Sequence, residues 1–291
     1  MTKVLITGAT GNVGIELIKS LQNIDHHLDL YAGVRGLVED KIKLAAYKIK
    51  FSQFDFTDSK SHKPALSGCD ILFLLRPPAL SEVEKYFKPI IDTCIEMSVK
   101  HIVFLSVQGV ENSKIIPHYK IEKLIVDSKI SYTFLRPAYF MQNFTTTLRN
   151  DLVNKKRIYL PSGNAKFTLI DVRDIGAVSA SVLINISQHL NKSYELTCKE
   201  KLTFSEMAKI LSSQLGVKIA FKSPNLISFF LTKREEKVPT MLILVMIMLH
   251  YLPRFQKEPH VNDWVEKLTG RKPITFEQFV NDNKRLLTKG E

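Results

Sequence analysis

The stretch Thr7-Gly-Ala-Thr-Gly-Asn-Val-Gly14 follows the apolar run Lys3-Val4-Leu5-Ile6 and leads into a helical pattern, so the chain opens as strand, glycine turn and helix. Each glycine answers a separate demand. Gly8 makes the tight turn, Gly11 lets backbone N–H groups approach phosphate oxygens, and Gly14 lets the helix lie close on the strand. Val13, Ile15, Leu17, Ile18 and Leu21 supply the apolar stripe of the helix, and no proline interrupts it. Gly8, Thr10, Gly11, Asn12, Val13 and Gly14 therefore form a candidate cradle for a dinucleotide pyrophosphate. The bland alternative is a glycine turn with no ligand.

At 291 residues, 45% of them hydrophobic, the chain can bury one large core and a smaller lobe. The longest unbroken apolar run, Met241 to Leu249, is closed by His250 and Pro253. It falls well short of the ~20 residues of a spanning helix. The amino terminus reads as strand and glycines, without a leader pattern. These features predict a soluble, cytoplasmic protein with no membrane partner. Cys69, Cys94 and Cys198 lie far apart without Cys-x-x-Cys spacing, which predicts reduced thiols and no metal site. The net charge of +12 comes from basic residues scattered in twos and threes among acids, such as Lys155-Lys156-Arg157. That distribution points to a solvated surface, not to nucleic acid.

Short apolar runs alternate with helical stretches. Leu30 to Val34, Ile49 to Phe54, Ile71 to Leu75, Ile102 to Leu105 and Tyr132 to Leu135 read as buried parallel strands. Amphipathic segments near 81–98 and 118–129 serve as crossover helices, which makes the fold class α/β with a doubly wound parallel sheet. After about Asn143 the texture changes. Phe167 to Ile170, a helix from about Asp174 to Ile186, Tyr194 to Thr197, a helix near Phe204 to Leu215 and the apolar stretch 239–252 predict a smaller C-terminal α/β lobe over the carboxyl edge of the sheet. The expected division is 1–143 for the dinucleotide-binding core and 144–291 mainly for a substrate lobe and C-terminal helices, with some segments returning to the core sheet.

The end of the second strand bears on nucleotide choice. An acid about 20 residues after the glycines holds a ribose 2′-hydroxyl, whereas arginine accommodates a 2′-phosphate. This chain has Arg35 after Gly33-Val34, with Glu39 and Asp40 coming later. The expectation is NADP(H) in preference to NAD(H), with an ordinary surface arginine as the alternative. Asp55 and Phe56 after the third strand are expected beside adenine. Leu75 and Arg76, leading into Pro77-Pro78 after the fourth, are expected to line the pyrophosphate crevice.

Gly8 to Gly14, Gly33-Val-Arg35, Asp55-Phe56, His101 to Ser106, His118-x-x-Ile121-Glu122, Leu135-Arg-Pro137 with Phe140-Met-Gln-Asn143, Asp171 to Ile175, and Leu268-Thr-Gly270 before Phe276 to Phe279 run nearly end to end. Together they resemble the NmrA-like branch of the atypical short-chain dehydrogenases, which have a Rossmann fold. That resemblance implies kinship with NADPH-dependent quinone and isoflavone-type reductases. It also implies kinship with redox-sensing regulators that bind the dinucleotide without obvious turnover.

The resemblance leaves two catalytic assignments open. Ordinary short-chain dehydrogenases use a Tyr, a Lys four residues on, and an upstream Ser; Tyr119, Lys123 and Ser106 copy that pattern. The register counted from the sixth strand instead puts His118 at the Lys position, and the NmrA-like branch favours His118 with Glu122. The two pairs occupy helix faces about 100° apart. His118 is preferred as the proton donor to a carbonyl or quinone oxygen, with Glu122 fixing its tautomer. The alternative for His118 and Glu122 is an ordinary first turn after Pro117. Backbone near Pro137 is expected to bind a carboxamide, and Tyr139, Phe140 and Asn143 to wall a substrate. Asp174 is expected to cap the helix it precedes. Met241 to Met248 reads as a buried core helix, or else as a cap over an apolar substrate or a face for a partner subunit.

The leading expectation is thus a reductase of a small apolar carbonyl, quinone or enone. An NADP(H)-sensing regulator without turnover is the alternative from another class; the partners expected are a small-molecule substrate and either a second copy of the chain, as a homodimer, or a regulatory protein. Sugar-nucleotide epimerase or dehydratase chemistry comes third, because it requires the Tyr119-Lys123 dyad.

Overall fold

The structure is a computed structural model that describes residues 1–288. From the amino terminus come β1 (Thr2–Ile6), α1 (Asn12–Gln22), β2 (Leu28–Val34), α2 (Leu37–Lys43), β3 (Lys50–Gln53), α3 (His62–Leu66) and β4 (Ile71–Leu75). Then follow α4 (Val83–Tyr86), α5 (Lys88–Glu96), β5 (His101–Leu105), α6 (Pro117–Asp127) and β6 (Ser131–Pro137). The later elements are β7 (Tyr139–Phe140), α7 (Arg149–Lys155), β8 (Arg157–Tyr159), β9 (Lys166–Ile170), α8 (Val172–Ile184) and β10 (Lys192–Leu196). Beyond them lie β11 (Lys201–Thr203), α9 (Phe204–Leu215), β12 (Ala220–Lys222), α10 (Leu226–Glu235), α11 (Thr240–Tyr251), α12 (Trp264–Thr269), α13 (Phe276–Asp282) and α14 (Lys284–Thr288).

Backbone contacts divide these elements into two units. The first comprises Met1–Ala138, Val172–Leu196 and Trp264–Lys272; the second comprises Tyr139–Asp171, Thr197–Asp263 and the described residues from Pro273 on.

The first unit holds a seven-stranded sheet in the order β10-β6-β5-β4-β1-β2-β3. All its neighbours are parallel. Its middle strands are apolar along their length, as burial on both faces requires: every residue of β5 is buried, and so are Ile71 to Leu74 of β4. The chain builds β1, β2 and β3 in one direction and then crosses to β4, so the carboxyl ends of β1 and β4 flank the switch point. Helix α1 buries Val13, Leu17, Ile18 and Leu21, and packs along α8.

The second unit has a three-stranded sheet, β11-β9-β7, and a pair, β12-β8. They surround an aromatic core that includes Phe144, Phe167, Phe204, Phe229, Phe276 and Phe279. A buried ion pair between Lys233 of α10 and Asp151 of α7 ties these helices together. Glu236 accepts from the same ammonium at 2.7 Å. Helix α9 begins in a reciprocal cap: Thr203 Oγ1 accepts from the Glu206 N–H at 3.2 Å, and a Glu206 carboxylate oxygen accepts from the Thr203 N–H at 2.8 Å.

Several sequence expectations shift. The segment near 81–98 forms two helices, with Pro89 in the first turn of the second, where its missing N–H costs nothing. Tyr194 to Leu196 belongs to β10 of the parallel sheet, beside β6, and not to a separate lobe. Helix α8 also belongs to the first unit, and it starts at Val172, so Asp174 lies inside it. From that position Asp174 pairs with Arg271 at 2.7 Å. Finally, α11 buries only Ile243, Met246 and His250, so it is not the all-round buried helix its composition predicts.

Candidate functional site

The glycine turn leaves β1 at the switch point and closes on itself. The Gly11 N–H donates to the Gly8 carbonyl at 2.9 Å, and the Ile15 N–H donates to the Gly11 carbonyl at 2.9 Å. Gly8 has φ +61°, in the left-handed region, and a Cβ there would strike the Leu75 side chain. A Cβ on Gly14 would lie 2.3 Å from the Gly8 carbonyl oxygen, so only glycine lets α1 start against the turn. Helix α1 has no side-chain cap and no acid in its first turn. Its opening N–H groups and the positive end of its dipole are thus left for an external anion. Gly11 and Asn12 are exposed, Thr10 is half-buried and Val13 is buried in the stripe.

Thr7 opens the glycine motif, and its side chain anchors this turn. Its hydroxyl donates to the Phe73 carbonyl at 3.0 Å and accepts from the Leu75 N–H at 3.1 Å, stitching β1 to β4 under Gly8. A polar residue ending an apolar strand was the available signal.

Arg35 follows β2 and is exposed, with no ion pair or hydrogen bond among the described residues. The later acid Asp40 accepts from the Gly36 N–H at 3.2 Å. Asp55 and Phe56 are committed elsewhere. The Asp55 carboxylate accepts from the Thr57 N–H and hydroxyl, both at 2.8 Å, which shapes the loop after β3. The Phe56 ring lies in the core against Phe54 and Phe87, so it offers no free face to an adenine. Leu75 lies beneath Gly8.

Arg76, expected to line the pyrophosphate crevice, spends its guanidinium on its own loop. Nη1 donates to the carbonyls of Pro77, Pro78 and Leu80 at 3.2, 3.1 and 2.9 Å. Its Nε lies 3.4 Å from His118 Nε2, and because arginine can only donate, that imidazole nitrogen accepts. Burial and the Arg76 charge push the His118 pKa down to about 3. The His118 ring is half-buried, with its centroid 6.2 Å from that of Phe104. It is therefore neutral near pH 7, whereas the sequence predicts a proton donor that titrates near neutrality.

Nor does Glu122 orient His118. The buried Glu122 carboxylate binds Arg136 through both oxygens, at 3.0 Å from Nε and 2.7 Å from Nη2. The two residues are one turn apart on α6, but the competing guanidinium arrives from β6, and no local pattern announces it. Glu111 adds a third contact to Arg136 at 3.3 Å. The alternative dyad is also unmade: Lys123 is exposed and pairs with Asp127 at 2.8 Å. Tyr119, on the same helix, is half-buried.

Ser106, just past β5, keeps its backbone in register by donating N–H to the Leu135 carbonyl at 2.7 Å. Its hydroxyl is buried and has no hydrogen-bond partner among the described residues. Such an orphan is costly unless something external satisfies it. The Pro137 carbonyl accepts from the Gln108 N–H at 2.9 Å. Glu195 on β10 holds the same loop, accepting from the Gly109 N–H and the Gln108 side chain, both at 3.2 Å. The sequence assigns neither Arg136 nor Glu195 a side-chain role, although both lie in segments it marks.

In the second unit Tyr139 packs edge-on against Phe167 and Phe204. His250 Nδ1 must donate to the Met246 carbonyl at 2.6 Å, so Nε2 accepts from the Tyr139 hydroxyl at 3.1 Å. Burial pushes His250 down to about 4 and raises Tyr139. The Asn143 carbonyl accepts from the Leu148 N–H at 2.8 Å, and Phe140, in β7, is half-buried.

Comparison with known proteins gives a consistent outcome. The profile of the NmrA-like family matches residues 1–279. Prestalk A differentiation protein A of Dictyostelium discoideum is 29% identical over 96% of this chain and 91% of its own length. NAD(P)H azoreductase of Xenophilus azovorans is 27% identical over 95% and 96%. Among solved structures, an NADPH-dependent quinone oxidoreductase of Escherichia coli complexed with NADPH superposes with a TM-score of 0.85. It is 23% identical and covers 96% of this chain and 99% of that one, which is a likeness of fold.

Proposed function

Because the chain belongs to the NmrA-like family, an NAD(P)H-binding family, we propose that it is an NADPH-dependent reductase of a small apolar carbonyl, quinone or enone. The observation that carries this reading is the uncapped, acid-free start of α1 behind a turn that only glycine can make. In the proposal Gly8, Thr10, Gly11, Asn12, Val13 and Gly14 hold the diphosphate through main-chain N–H groups. Arg35, exposed and uncommitted, takes the 2′-phosphate, which favours NADP(H) over NAD(H). When bound, the cofactor supplies hydride.

The chain's own contribution centres on Ser106 and His118. Alternation along β5 puts Ser106 on the side of Phe104, against which the His118 ring lies. The unpartnered Ser106 hydroxyl donates to the acceptor oxygen, where negative charge develops. His118 remains neutral and holds its proton on Nδ1, because Nε2 accepts from Arg76. It serves as a hydrogen-bonding group, and the proton taken up in the reaction arrives through hydroxyl or water. Pro137, Tyr139, Phe140 and Asn143 stay as proposed binding groups for carboxamide and substrate. Asp55, Phe56, Leu75 and Arg76 keep a positioning part only, since their side chains are otherwise engaged.

The test is NADPH oxidation across a panel of quinones, enones and aldehydes. The proposal expects turnover with at least one class, and a loss of roughly 10²-fold or more in kcat for both Ser106→Ala and His118→Ala. Full rates in both variants would overturn the assignment. A second reading, a regulator that reads the NADPH/NADP ratio, is favoured by the neutral His118 and by the relative named for differentiation. It predicts binding of NADPH without turnover and a protein partner whose affinity depends on the cofactor's oxidation state. The epimerase reading is disfavoured because Lys123 is paired with Asp127 and is not free to serve Tyr119.

A further inference from the structure

Helix α11 carries an apolar face turned to solvent. Ile243, Met246 and His250 are buried, and the opposite side presents Met241, Leu242, Leu244, Val245, Met248 and Leu249. An ordinary surface helix places polar residues there. The apolar surface continues past the helix through Leu252 and Phe255, the latter 72% exposed. The adjoining helix α10 adds Ile227 and Leu231, 75% and 56% exposed. So many exposed apolar side chains on two adjoining helices mark an interaction surface.

The charges around the patch identify its occupant. From 234 to 258 the exposed charged residues are Arg234, Glu235, Lys237, Arg254, Lys257 and Glu258, four basic against two acidic, and Glu258 is itself held by Lys166 and Lys201. The remaining acid, Glu236, is already bound by Lys233, Lys155 and Arg157. Arg254 lies over the Tyr251 ring at 5.0 Å, and Arg234 donates to the Thr240 hydroxyl at 3.0 Å, so cations stand at both ends of α11. A second copy of this chain meeting the patch across a two-fold axis would set this basic rim against itself, which is unfavourable. An apolar face framed by arginine and lysine matches the boundary of an anionic bilayer, where side chains enter the acyl layer and cations meet headgroup phosphates.

We infer that the α10–α11 surface docks this protein onto anionic lipid membranes, lying in the headgroup plane and not crossing it. No helix among the described residues is long and apolar enough to cross. The inference does not depend on the reductase reading.

It is tested by sedimenting the full-length protein with vesicles of phosphatidylcholine alone and of phosphatidylcholine with phosphatidylglycerol in equal parts. Capture is expected only on the mixed vesicles and should weaken as salt rises. Arg254→Glu should reduce the partition coefficient about fivefold or more, as expected for one cation near an anionic surface. The pair Leu244→Glu and Leu249→Glu, on the exposed side, should abolish capture while NADPH affinity and urea midpoint stay unchanged. Equal capture by both vesicles, no capture by either, or a solution dimer dissolved by Leu244→Glu would each overturn the inference.

Discussion

Glu122 closes a two-point pair on Arg136, at 3.0 and 2.7 Å, and so leaves His118, its neighbour one turn back on α6, to Arg76. One helix thus faces two guanidiniums from two strand ends. Glu122 secures β6, while His118 takes its protonation state from burial and, second, from Arg76.

Glu122→Ala is expected to destabilise the fold by about 3 kcal/mol, the low end for a broken buried pair, because it strands a half-buried guanidinium whose remaining partner, Glu111, is exposed. Urea unfolding measures it. A paired-catalyst role would instead lower kcat and leave the urea midpoint in place.

The histidines set an acid limit. His118 is pushed down to about 3, and His101 and His250 to about 4, chiefly by burial, whereas an unfolded chain binds those protons near about pH 6.5. The unfolded state therefore holds more protons between these values. Stability is full above about pH 6.5 and declines as pH falls toward about 4. The urea midpoint should drop between about pH 7 and about pH 5, and the His118 ring resonances should not titrate in that interval. A His118 transition near neutrality would contradict the assignment.

Much of this arrangement was legible in the sequence, and the exceptions share a cause. The apolar runs at 71–75 and 102–105 marked β4 and β5 because strands buried on both faces need no polar alternation. The turn was legible because its glycines are dictated locally, as Gly8 and Gly14 demonstrate. The Glu122–Arg136 pair, the placement of β10 beside β6, and the burial of Phe56 depend on residues brought together by the fold from distant parts of the chain. No spacing within one segment encodes them. Helix α11 misled for another reason: composition reports how apolar a helix is, not how many of its sides are covered.

Gly14→Ala is expected to abolish dinucleotide binding, since the added carbon would lie 2.3 Å from the Gly8 carbonyl and force α1 off the turn. Calorimetry checks it. Circular dichroism should still report a folded chain, and retained affinity would show that the turn tolerates the shift.

Tyr139→Phe is expected to cost about 1–3 kcal/mol, because it removes the donor to a buried, neutral His250. An unchanged thermal midpoint would mean that water replaces the phenol.

Arg35→Asp should lower NADPH affinity by about tenfold or more, the order of one lost charge-assisted contact of about 1.5–3 kcal/mol, and leave NADH affinity level or improved. Equal losses for both dinucleotides would place Arg35 away from the 2′-phosphate.

The most direct measurement is a calorimetric titration of the unmodified protein with NADPH and with NADH. The account predicts saturable binding of both, with NADPH the tighter. No uptake of either dinucleotide at millimolar concentration would contradict it.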